Sequence, residues 1–248
     1  MSVHVGVIGC GNLARAVVRG WGLPVLCSDV DAGRAQALAA EVGGRAVDSN
    51  RELAQDADVV VLCHKPKQLA EVAAEVAADA RAVVSLLGST PLAAVVSAYP
   101  DRPVYRVLPS LCAEVRRGPV ALADAPPQAL DAEVRELFGR IGDVIVLDDA
   151  LIDVAMGLMS NSPAFYALIV EAQVDAGIRR GLPPETASAL AIGAMGGTAA
   201  LLEHRGGDTL ALRRGVTSPG GSTARGLDSL ERTGMRASLS AALDAVLD

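Results

Sequence analysis

The chain has very few aromatic residues: one Trp, three Tyr and two Phe among 248 residues. Hydrophobic residues nevertheless make up 51% of the sequence, so the core must be built from Ala, Val and Leu. Lysine is also scarce, with only Lys65 and Lys67, and the formal net charge is -7. This acidic balance argues against nucleic acid as a partner, because binding to a phosphate backbone depends on clustered positive charge.

Paired cysteines are missing as well. Cys10, Cys27, Cys63 and Cys112 include no CxxC pair, and the three histidines are scattered along the chain. A metal site usually needs closely spaced Cys or His ligands, so we expect none. The cysteines are expected to be small buried residues of a protein in a reducing cytosol.

Targeting and membrane signals are not evident either. The start of the chain lacks a basic segment followed by an apolar one, the pattern of a signal peptide. No uninterrupted apolar stretch reaches the roughly 18 residues that a membrane span needs. The sequence therefore predicts a cytoplasmic protein with no membrane partner.

Two kinds of segment alternate along residues 1–149. Short Val-rich runs bounded by Gly, Asp, Pro or Ser predict buried strands; they are Val3–Ile8, Pro24–Cys27, Val59–Cys63, Ala82–Leu87, Val104–Leu108, Val120–Leu122 and Val144–Leu147. Ala-rich segments with helical spacing lie between several of them, at Leu13–Arg19, Ala32–Val42, Lys67–Ala78, Leu92–Ala98 and Ala129–Ile141. This alternation predicts an α/β Rossmann-type domain with a mainly parallel sheet at residues 1–149.

Residues 150–248 contain no convincing strand. Three long apolar segments, Ala150–Arg180, Pro184–His204 and Ser222–Leu247, predict an all-α domain. Their apolar residues cover more than one face of each helix, so the helices need partners on several sides. We therefore expect a dimerisation domain whose helices interleave with those of a second copy, giving a homodimer or a larger assembly of dimers.

A GxGxxA motif follows the first predicted strand and opens the first predicted helix. Gly9 permits a tight turn, Gly11 lets the backbone approach a pyrophosphate, and Ala14 allows close helix–strand packing. The helix start, with Asn12 and Leu13, would present free amides to the anion. The motif predicts a dinucleotide site; a glycine turn that serves packing alone is the alternative.

The acid at the end of the second predicted strand bears on the choice of cofactor. Asp29 lies 20 residues after Gly9, the spacing of an acid that binds the adenosine ribose hydroxyls and so favours NADH. Ser28 and Arg34 could instead hold the 2′-phosphate of NADPH, so both cofactors remain candidates. Asp29 could also be only a helix cap or a turn residue.

A second candidate segment, His64-Lys65-Pro66, follows the strand Val59–Cys63. Ligands of open α/β sheets bind at the carboxyl ends of the strands, so these three residues are candidates for cofactor binding. A solvated loop lysine is the alternative for Lys65. His64 is either a loop residue near the cofactor or a general acid.

The sequence Val216-Thr217-Ser218-Pro219-Gly220-Gly221-Ser222-Thr223, followed by Gly226-Leu227-Asp228-Ser229-Leu230-Glu231, resembles the hallmark of the pyrroline-5-carboxylate reductase family. Further matching pieces run through the chain in order: Lys65-Pro66, Ser85, Arg106 through Pro109, Pro163-Ala164, Ala176-Gly177 and Gly181-Leu182-Pro183. The resemblance covers essentially the whole chain. It implies NAD(P)H-dependent reduction of the cyclic imine 1-pyrroline-5-carboxylate to L-proline.

The resemblance also implies roles for individual residues. Ser218, Gly221 and Thr223 would hold the substrate carboxylate, within a loop that includes Gly220 and Ser222. Thr223 would lie near the imine nitrogen and is the candidate catalytic residue. Pro163 and Phe165 would wall the ring, and Ser110 would lie with the cofactor-binding residues. A plain helix cap by Ser222 or Thr223 is the alternative for the loop.

Four positions depart from the family pattern, and all fall in its substrate and cofactor motifs. Ser110 replaces an Asn, Ser160 and Ser162 replace two Gly, and Phe165 replaces a Tyr. These changes leave open a different cyclic imine as substrate, either a substituted pyrroline or a six-membered ring. A non-catalytic module that senses NAD(P) is an alternative of another class.

Overall fold

A computed structural model describes residues 3–247. The chain divides into two compact units, Met1–Pro163 and Ala164–Asp248. The predicted boundary after residue 149 lies earlier, because the segment that follows packs with the first unit. Ile152, for example, is fully buried in a cluster with Leu108 and Ala121.

The first unit is a single eight-stranded sheet flanked by helices. Its strands are β1 (Val5–Ile8), β2 (Leu26–Ser28), β3 (Arg45–Ala46), β4 (Val59–Leu62), β5 (Val83–Ser85), β6 (Val104–Leu108), β7 (Val120–Ala123) and β8 (Val144–Leu147). Its helices are α1 (Asn12–Trp21), α2 (Ala32–Val42), α3 (Asn50–Asp56), α4 (Leu69–Val76), α5 (Leu92–Ala98), α6 (Asp131–Gly139) and α7 (Ile152–Met156). The strand order is β3-β2-β1-β4-β5-β6-β7-β8, and only the β6–β7 pair is antiparallel. The predicted fold class, a mainly parallel Rossmann-type sheet followed by helices, is confirmed.

The sheet is covered on both faces by an aliphatic core. Alternate residues of β4 enter the two clusters, with Val59 and Val61 in one and Val60 and Leu62 in the other. Two of the few aromatic residues, Trp21 and Phe138, pack together in the first cluster. Their rings meet edge to face, with the ring centroids 5.4 Å apart. A strand buried on both faces explains why β4 reads as an unbroken apolar run.

The helical region consists of α8 (Ser162–Arg179), α9 (Pro184–His204), α10 (Thr209–Gly215), α11 (Ser222–Arg232) and α12 (Met235–Leu247). Large apolar side chains stay exposed on it, including Leu168 at 64%, Leu190 at 60% and Ile192 at 58%. Helix α9 is long and apolar enough to cross a membrane by length and composition alone, and little of it is buried within the chain. The second unit therefore leaves its apolar faces uncovered, as its sequence predicts for a dimerisation domain.

Some elements differ from the sequence prediction. Strand β3, helix α3 and helix α10 were not predicted, and the predicted segment Ser222–Leu247 is two helices, separated at Gly234, where φ is +81°. The predicted segment Ala150–Arg180 begins as a 3-10 turn and α7, then passes through a π-helical turn at Gly157–Asn161 into α8.

Candidate functional site

A cleft of about 880 Å³ opens at the carboxyl ends of β1, β2 and β4. Because these strands are parallel neighbours, the loops that follow them meet at one edge of the sheet. Residues from all three loops line the cleft, among them Gly9, Gly11, Asn12, Asp29, His64 and Lys65.

Two glycines give the loop after β1 its shape. Gly9 has φ +95°, and a Cβ there would lie 2.7 Å from the backbone nitrogen of His64. Gly11 is the N-cap of α1 and makes no side-chain cap, while a Cβ on it would meet nothing within 4 Å. The start of α1 is thus open to the cleft, and its free amides suit a pyrophosphate.

The other motif residues support this loop from behind. Ala14 is 1% exposed and packs in the core with Val7 of β1. Leu13 is half-buried against the same cluster, whereas Asn12 lines the cleft. The spacing of the motif therefore serves both the anion site and the close approach of helix to strand.

Asp29 joins the loop after β1 to the loop after β2. Its carboxylate accepts hydrogen bonds from the backbone N–H of Cys10 at 2.6 Å and of Asp31 at 2.8 Å. The N-cap of α2 is Asp31, whose carboxylate accepts from the N–H of Gly33 at 3.0 Å. Asp29 is therefore a bridge that fixes two cleft loops, and it is not the helix cap.

The residues considered for a 2′-phosphate already have partners. Ser28 is buried, and its hydroxyl donates to Oδ1 of Asn50 at 2.8 Å. Nδ2 of Asn50 in turn donates to Glu75 at 2.7 Å. Arg34 lines the cleft, and its Nε lies 3.4 Å from the carboxylate of Asp31.

The loop after β4 brings a histidine and a lysine to the cleft. Nδ1 of His64 lies 2.9 Å from the carbonyl oxygen of Lys65, and burial lowers the pKa of the imidazole, so it is neutral at pH 7. With Nδ1 donating to that carbonyl, Nε2 is an acceptor, and it is buried with no hydrogen-bond partner. Lys65 is exposed at the cleft, and Pro66 begins the 3-10 turn Pro66–Gln68.

Cys63 also lines the cleft but is not poised as a nucleophile. All four cysteines are free thiols, and burial raises the pKa of Cys63 to about 12. A thiol with such a pKa stays protonated at neutral pH and is unreactive. Within residues 3–247, no group of His, Cys, Asp or Glu has the arrangement of a metal site.

Three of the four departures from the family pattern are serines whose hydroxyls bond to the backbone. Ser110 is 1% exposed, and its Oγ accepts from the N–H of Cys112, which caps the 3-10 turn Leu111–Val115. Ser160 donates to the carbonyl of Pro109 at 2.7 Å, and Ser162 donates to that of Gly157 at 3.2 Å. The new side chains therefore satisfy backbone groups beside the π-helical turn.

The loop before α11 leaves a helix N-terminus open. Gly221 is the N-cap of α11 with no side-chain cap, so neither Ser222 nor Thr223 caps the helix. The N–H of Gly221 donates to the carbonyl of Ser218 at 3.0 Å, and the carbonyl of Gly220 accepts from Arg225 at 2.9 Å. The uncapped amides of the first turn, with exposed hydroxyls beside them, suit a carboxylate.

The remaining predicted residues flank the division between the units. Pro163 is the last residue of the first unit, and Phe165 lies in the second; both are half-buried. Of the predicted cofactor residues, the structure brings Gly9, Gly11, Asn12, Asp29, His64 and Lys65 together at the cleft. Five others do not line it: Leu13, Ala14, Ser28, Pro66 and Ser110.

Several lining residues were not predicted, among them Arg15, Asp31, Asn50 and Gln68. Asp31 stands directly before the predicted helix Ala32–Val42, so a helix-cap search finds it. Asn50 carries no such signal, because it begins the short helix α3 that the periodicity does not reveal.

Two family models match the chain. Residues 149–248 match the model described as pyrroline-5-carboxylate reductase dimerisation. Residues 4–88 match the model described as NADP oxidoreductase coenzyme F420-dependent. The helical region is accordingly a dimerisation domain.

Known proteins match over nearly the whole chain. A pyrroline-5-carboxylate reductase of Pseudomonas aeruginosa is 33% identical over 98% of this chain and 93% of its own length. One of Corynebacterium melassecola is 31% identical over 98% of this chain and 96% of its own length. Among solved structures, 1-pyrroline-5-carboxylate reductase from Streptococcus pyogenes gives a TM-score of 0.90 at 26% identity and covers 99% of this chain and 97% of its own. The similarity thus includes both the cleft and the loop before α11.

Proposed function

Because this chain belongs to the pyrroline-5-carboxylate reductase family, we propose that it reduces 1-pyrroline-5-carboxylate to L-proline with NADH or NADPH. The observation that carries the proposal is the uncapped N-terminus of α11, preceded by Ser218 and two glycines. Together with the open start of α1 in the cleft, it provides one site for a dinucleotide and one for a small carboxylate.

The bound NAD(P)H would supply a hydride to the imine carbon, and the imine nitrogen would take one proton. The protein's part is to position and to stabilise charge. The first turn of α1 binds the pyrophosphate, Asp29 binds the adenosine ribose, and Lys65 and His64 contact the cofactor from the loop after β4.

Substrate binding falls to the helical domain. Ser218, Gly221 and Thr223 hold the carboxylate, with Gly220 and Ser222 shaping the loop. The Thr223 hydroxyl lies near the imine nitrogen, where it orients a proton or relays one from water. Pro163 and Phe165 wall the ring.

The proposed assembly is a homodimer formed through the dimerisation domain, in which helices from one subunit meet the cofactor domain of the other. The exposed apolar side chains of α8 and α9 support this assembly, and a larger assembly of dimers is compatible with it. A second copy also accounts for the apolar surface of α9 without a membrane. We place the enzyme in the cytoplasm, with no role for nucleic acid, in keeping with its acidic net charge.

A related imine reductase is the second candidate, and Phe165 favours it. The hydroxyls of Ser160 and Ser162 donate to backbone carbonyls, so these two serines add no free donor to a pocket. Phe165 differs from them, because its ring lacks the hydroxyl that the family's Tyr carries. Such a change can favour a less polar or larger ring.

A panel of cyclic imines with each cofactor separates the candidates. We expect pyrroline-5-carboxylate to give a kcat/KM of about 10⁴ M⁻¹s⁻¹ or more, an ordinary enzyme value. If a six-membered cyclic imine gives a much higher kcat/KM than pyrroline-5-carboxylate, the result supports the second candidate. Cofactor binding without oxidation by any imine supports a sensing module.

The substrate loop is tested by Thr223→Ala, with Thr233→Ala as its control. Thr233 lies at the other end of α11, where its hydroxyl donates to the carbonyl of Ser229 at 2.9 Å. We expect the change at 223 to lower kcat/KM by about 100-fold and the control to leave it nearly unchanged. Full activity of Thr223→Ala contradicts the assigned site.

A further inference from the structure

We infer that the cleft discriminates against a 2′-phosphate, so that the enzyme prefers NADH to NADPH, and that Asp31 is the discriminating residue. The inference rests on the proposed function, since it concerns the cofactor of that same site. It follows from how the charges and hydrogen-bond donors after β2 are already engaged.

The orientation of Asp29 at the cleft is fixed by hydrogen bonds. Its two carboxylate oxygens each accept one backbone N–H, from Cys10 and from Asp31, so the side chain is held at the cleft wall. Each oxygen keeps a further acceptor site. An anchored carboxylate with spare acceptor capacity suits ribose hydroxyls, which donate, and opposes a phosphate, which does not.

Charged side chains surround Asp29 in the cleft. Asp29, Asp31 and Arg34 all line the cleft after β2, so two carboxylates face one guanidinium. Arg34 is the cation that a 2′-phosphate would need, but it already pairs with Asp31, three residues earlier in the chain. A 2′-phosphate carries about -1.5 to -2 charges at pH 7, so beside the carboxylates of Asp29 and Asp31 it would have to displace Asp31 from Arg34.

The hydrogen-bond donors nearby already have partners. The Ser28 hydroxyl donates to Asn50, whose Nδ2 donates to Glu75. Arg15 also lines the cleft, and its guanidinium lies 2.6 Å from Glu41. A phosphate at this end would therefore have to break existing pairs, whereas a ribose hydroxyl would not.

Direct binding tests the inference without turnover. The full-length protein is titrated with NADH and with NADPH, and the nicotinamide fluorescence is followed. We expect the Kd for NADPH to exceed that for NADH by about tenfold or more, the size of one moderate electrostatic difference. Raising the salt concentration should narrow this ratio, because the cleft is open to solvent.

Asp31→Ser and Asp31→Asn test the discriminating residue. Both replacements retain a good helix N-cap, while they remove one carboxylate and release Arg34. We expect either variant to lower the ratio of the two Kd values by about five- to tenfold, chiefly through tighter NADPH binding. If one of the two variants fails to fold, the other still tests the role of Asp31.

Asp148→Ser is the matched control. Asp148 caps the 3-10 turn after β8 through the N–H of Ala150, as Asp31 caps α2, and the charge change is the same. Strand β8 lies six positions from β2 in the sheet, a distance of about 29 Å at about 4.8 Å per strand. This distance is well beyond the length over which salt screens the charge of Asp148. We expect this variant to keep the wild-type ratio.

The outcomes separate the inference from the proposed function. Equal or tighter binding of NADPH by the wild type overturns the preference while the reductase proposal stands. An unchanged ratio in both Asp31 variants overturns the role of Asp31. Binding of neither nucleotide contradicts the proposed cofactor site itself, and the inference falls with it.

Discussion

At the scale of single residues, the two glycines Gly9 and Gly11 of the cleft have different roles. Gly9 is needed for the fold, because its φ of +95° and the backbone of Cys63 and His64 leave no room for a Cβ. Gly11 faces open space, so a side chain there would occupy the cleft and strain nothing. One motif therefore contains a structural position and a binding position.

We predict that Gly9→Ala affects stability, whereas Gly11→Ala affects nucleotide binding. Gly9→Ala should lower the free energy of unfolding by about 1–3 kcal/mol, since Ala must adopt a strained backbone in a closed space. Gly11→Ala should leave the melting temperature nearly unchanged while it weakens NADH binding about tenfold. Thermal unfolding and nucleotide titration of both variants check this, and a stable Gly9→Ala protein speaks against the account.

Glu41 is a second residue with a measurable effect. Its carboxylate lies 2.6 Å from both Arg15 and Arg19, and these hydrogen bonds, first that of Arg19, lower its pKa from 4.5 to about 2. Because the folded-state pKa is depressed, the stabilisation is present above about pH 4.5 and is lost as the pH falls through about 2. All three side chains are partly exposed, so solvent screening keeps the contribution small.

Glu41→Gln should therefore destabilise the protein by about 0.5–1 kcal/mol at pH 7. The difference in the free energy of unfolding between Glu41→Gln and the wild type should become smaller as the pH falls below about 4.5. Urea unfolding between pH 3 and pH 7 measures it, with Glu136→Gln, which removes an exposed pair to Arg140, as the control. A gap independent of pH would show that the ion pairs do not stabilise the fold.

At the scale of elements, a buried arginine connects the sheet to the segment that follows it. Arg106 on β6 is 1% exposed and bonds to Asp149 at 2.9 Å and Asp153 at 2.6 Å. Asp149 also accepts from the N–H of Leu92 at the start of α5. This network explains why the residues after 149 belong with the first unit.

Arg106→Met should destabilise the first unit by about 3 kcal/mol or more, because two carboxylates lose their buried partner. Chemical unfolding at a fixed protein concentration measures the effect. Arg140→Met removes an exposed arginine and should change stability by less than about 0.5 kcal/mol. A loss of under about 1 kcal/mol for Arg106→Met is incompatible with a buried ionic connection.

The elements also show what sequence patterns can predict. Helix α9 matches its predicted bounds, because Pro184 marks its start and the apolar run is long. Strand β3 has two residues and α3 has seven, too few for a hydrophobic period to stand out. In the cleft, the spacing of Gly9, Gly11 and Asp29 was predictable, but Asn50 reaches it through tertiary packing alone.

At the scale of the whole molecule, the two units bury apolar surface differently. The sheet unit encloses its own core, whereas the helical unit exposes Leu190 and Ile192 by more than half. The sequence predicted this contrast, since the helices are apolar on several faces. It could not predict that the hydroxyls of Ser160 and Ser162 bond to the backbone, because those bonds depend on the π-helical turn.

Leu190→Asp should shift the protein from dimer to monomer, because a charge would have to be buried in the interface. Light scattering after size exclusion measures the mass. Val115→Asp, at a site 69% exposed in the first unit, is the matched control and should leave the dimer intact. An unchanged mass for Leu190→Asp would place the interface elsewhere.

The proposed reductase activity is tested most directly by the stoichiometry of the reaction itself. The full-length protein is incubated with pyrroline-5-carboxylate and NADH, and both NADH oxidation and L-proline formation are measured. We expect one proline to form per NADH oxidised, at a rate that depends on Thr223. NADH that binds but is not oxidised above the rate without protein, with no proline formed, would contradict it.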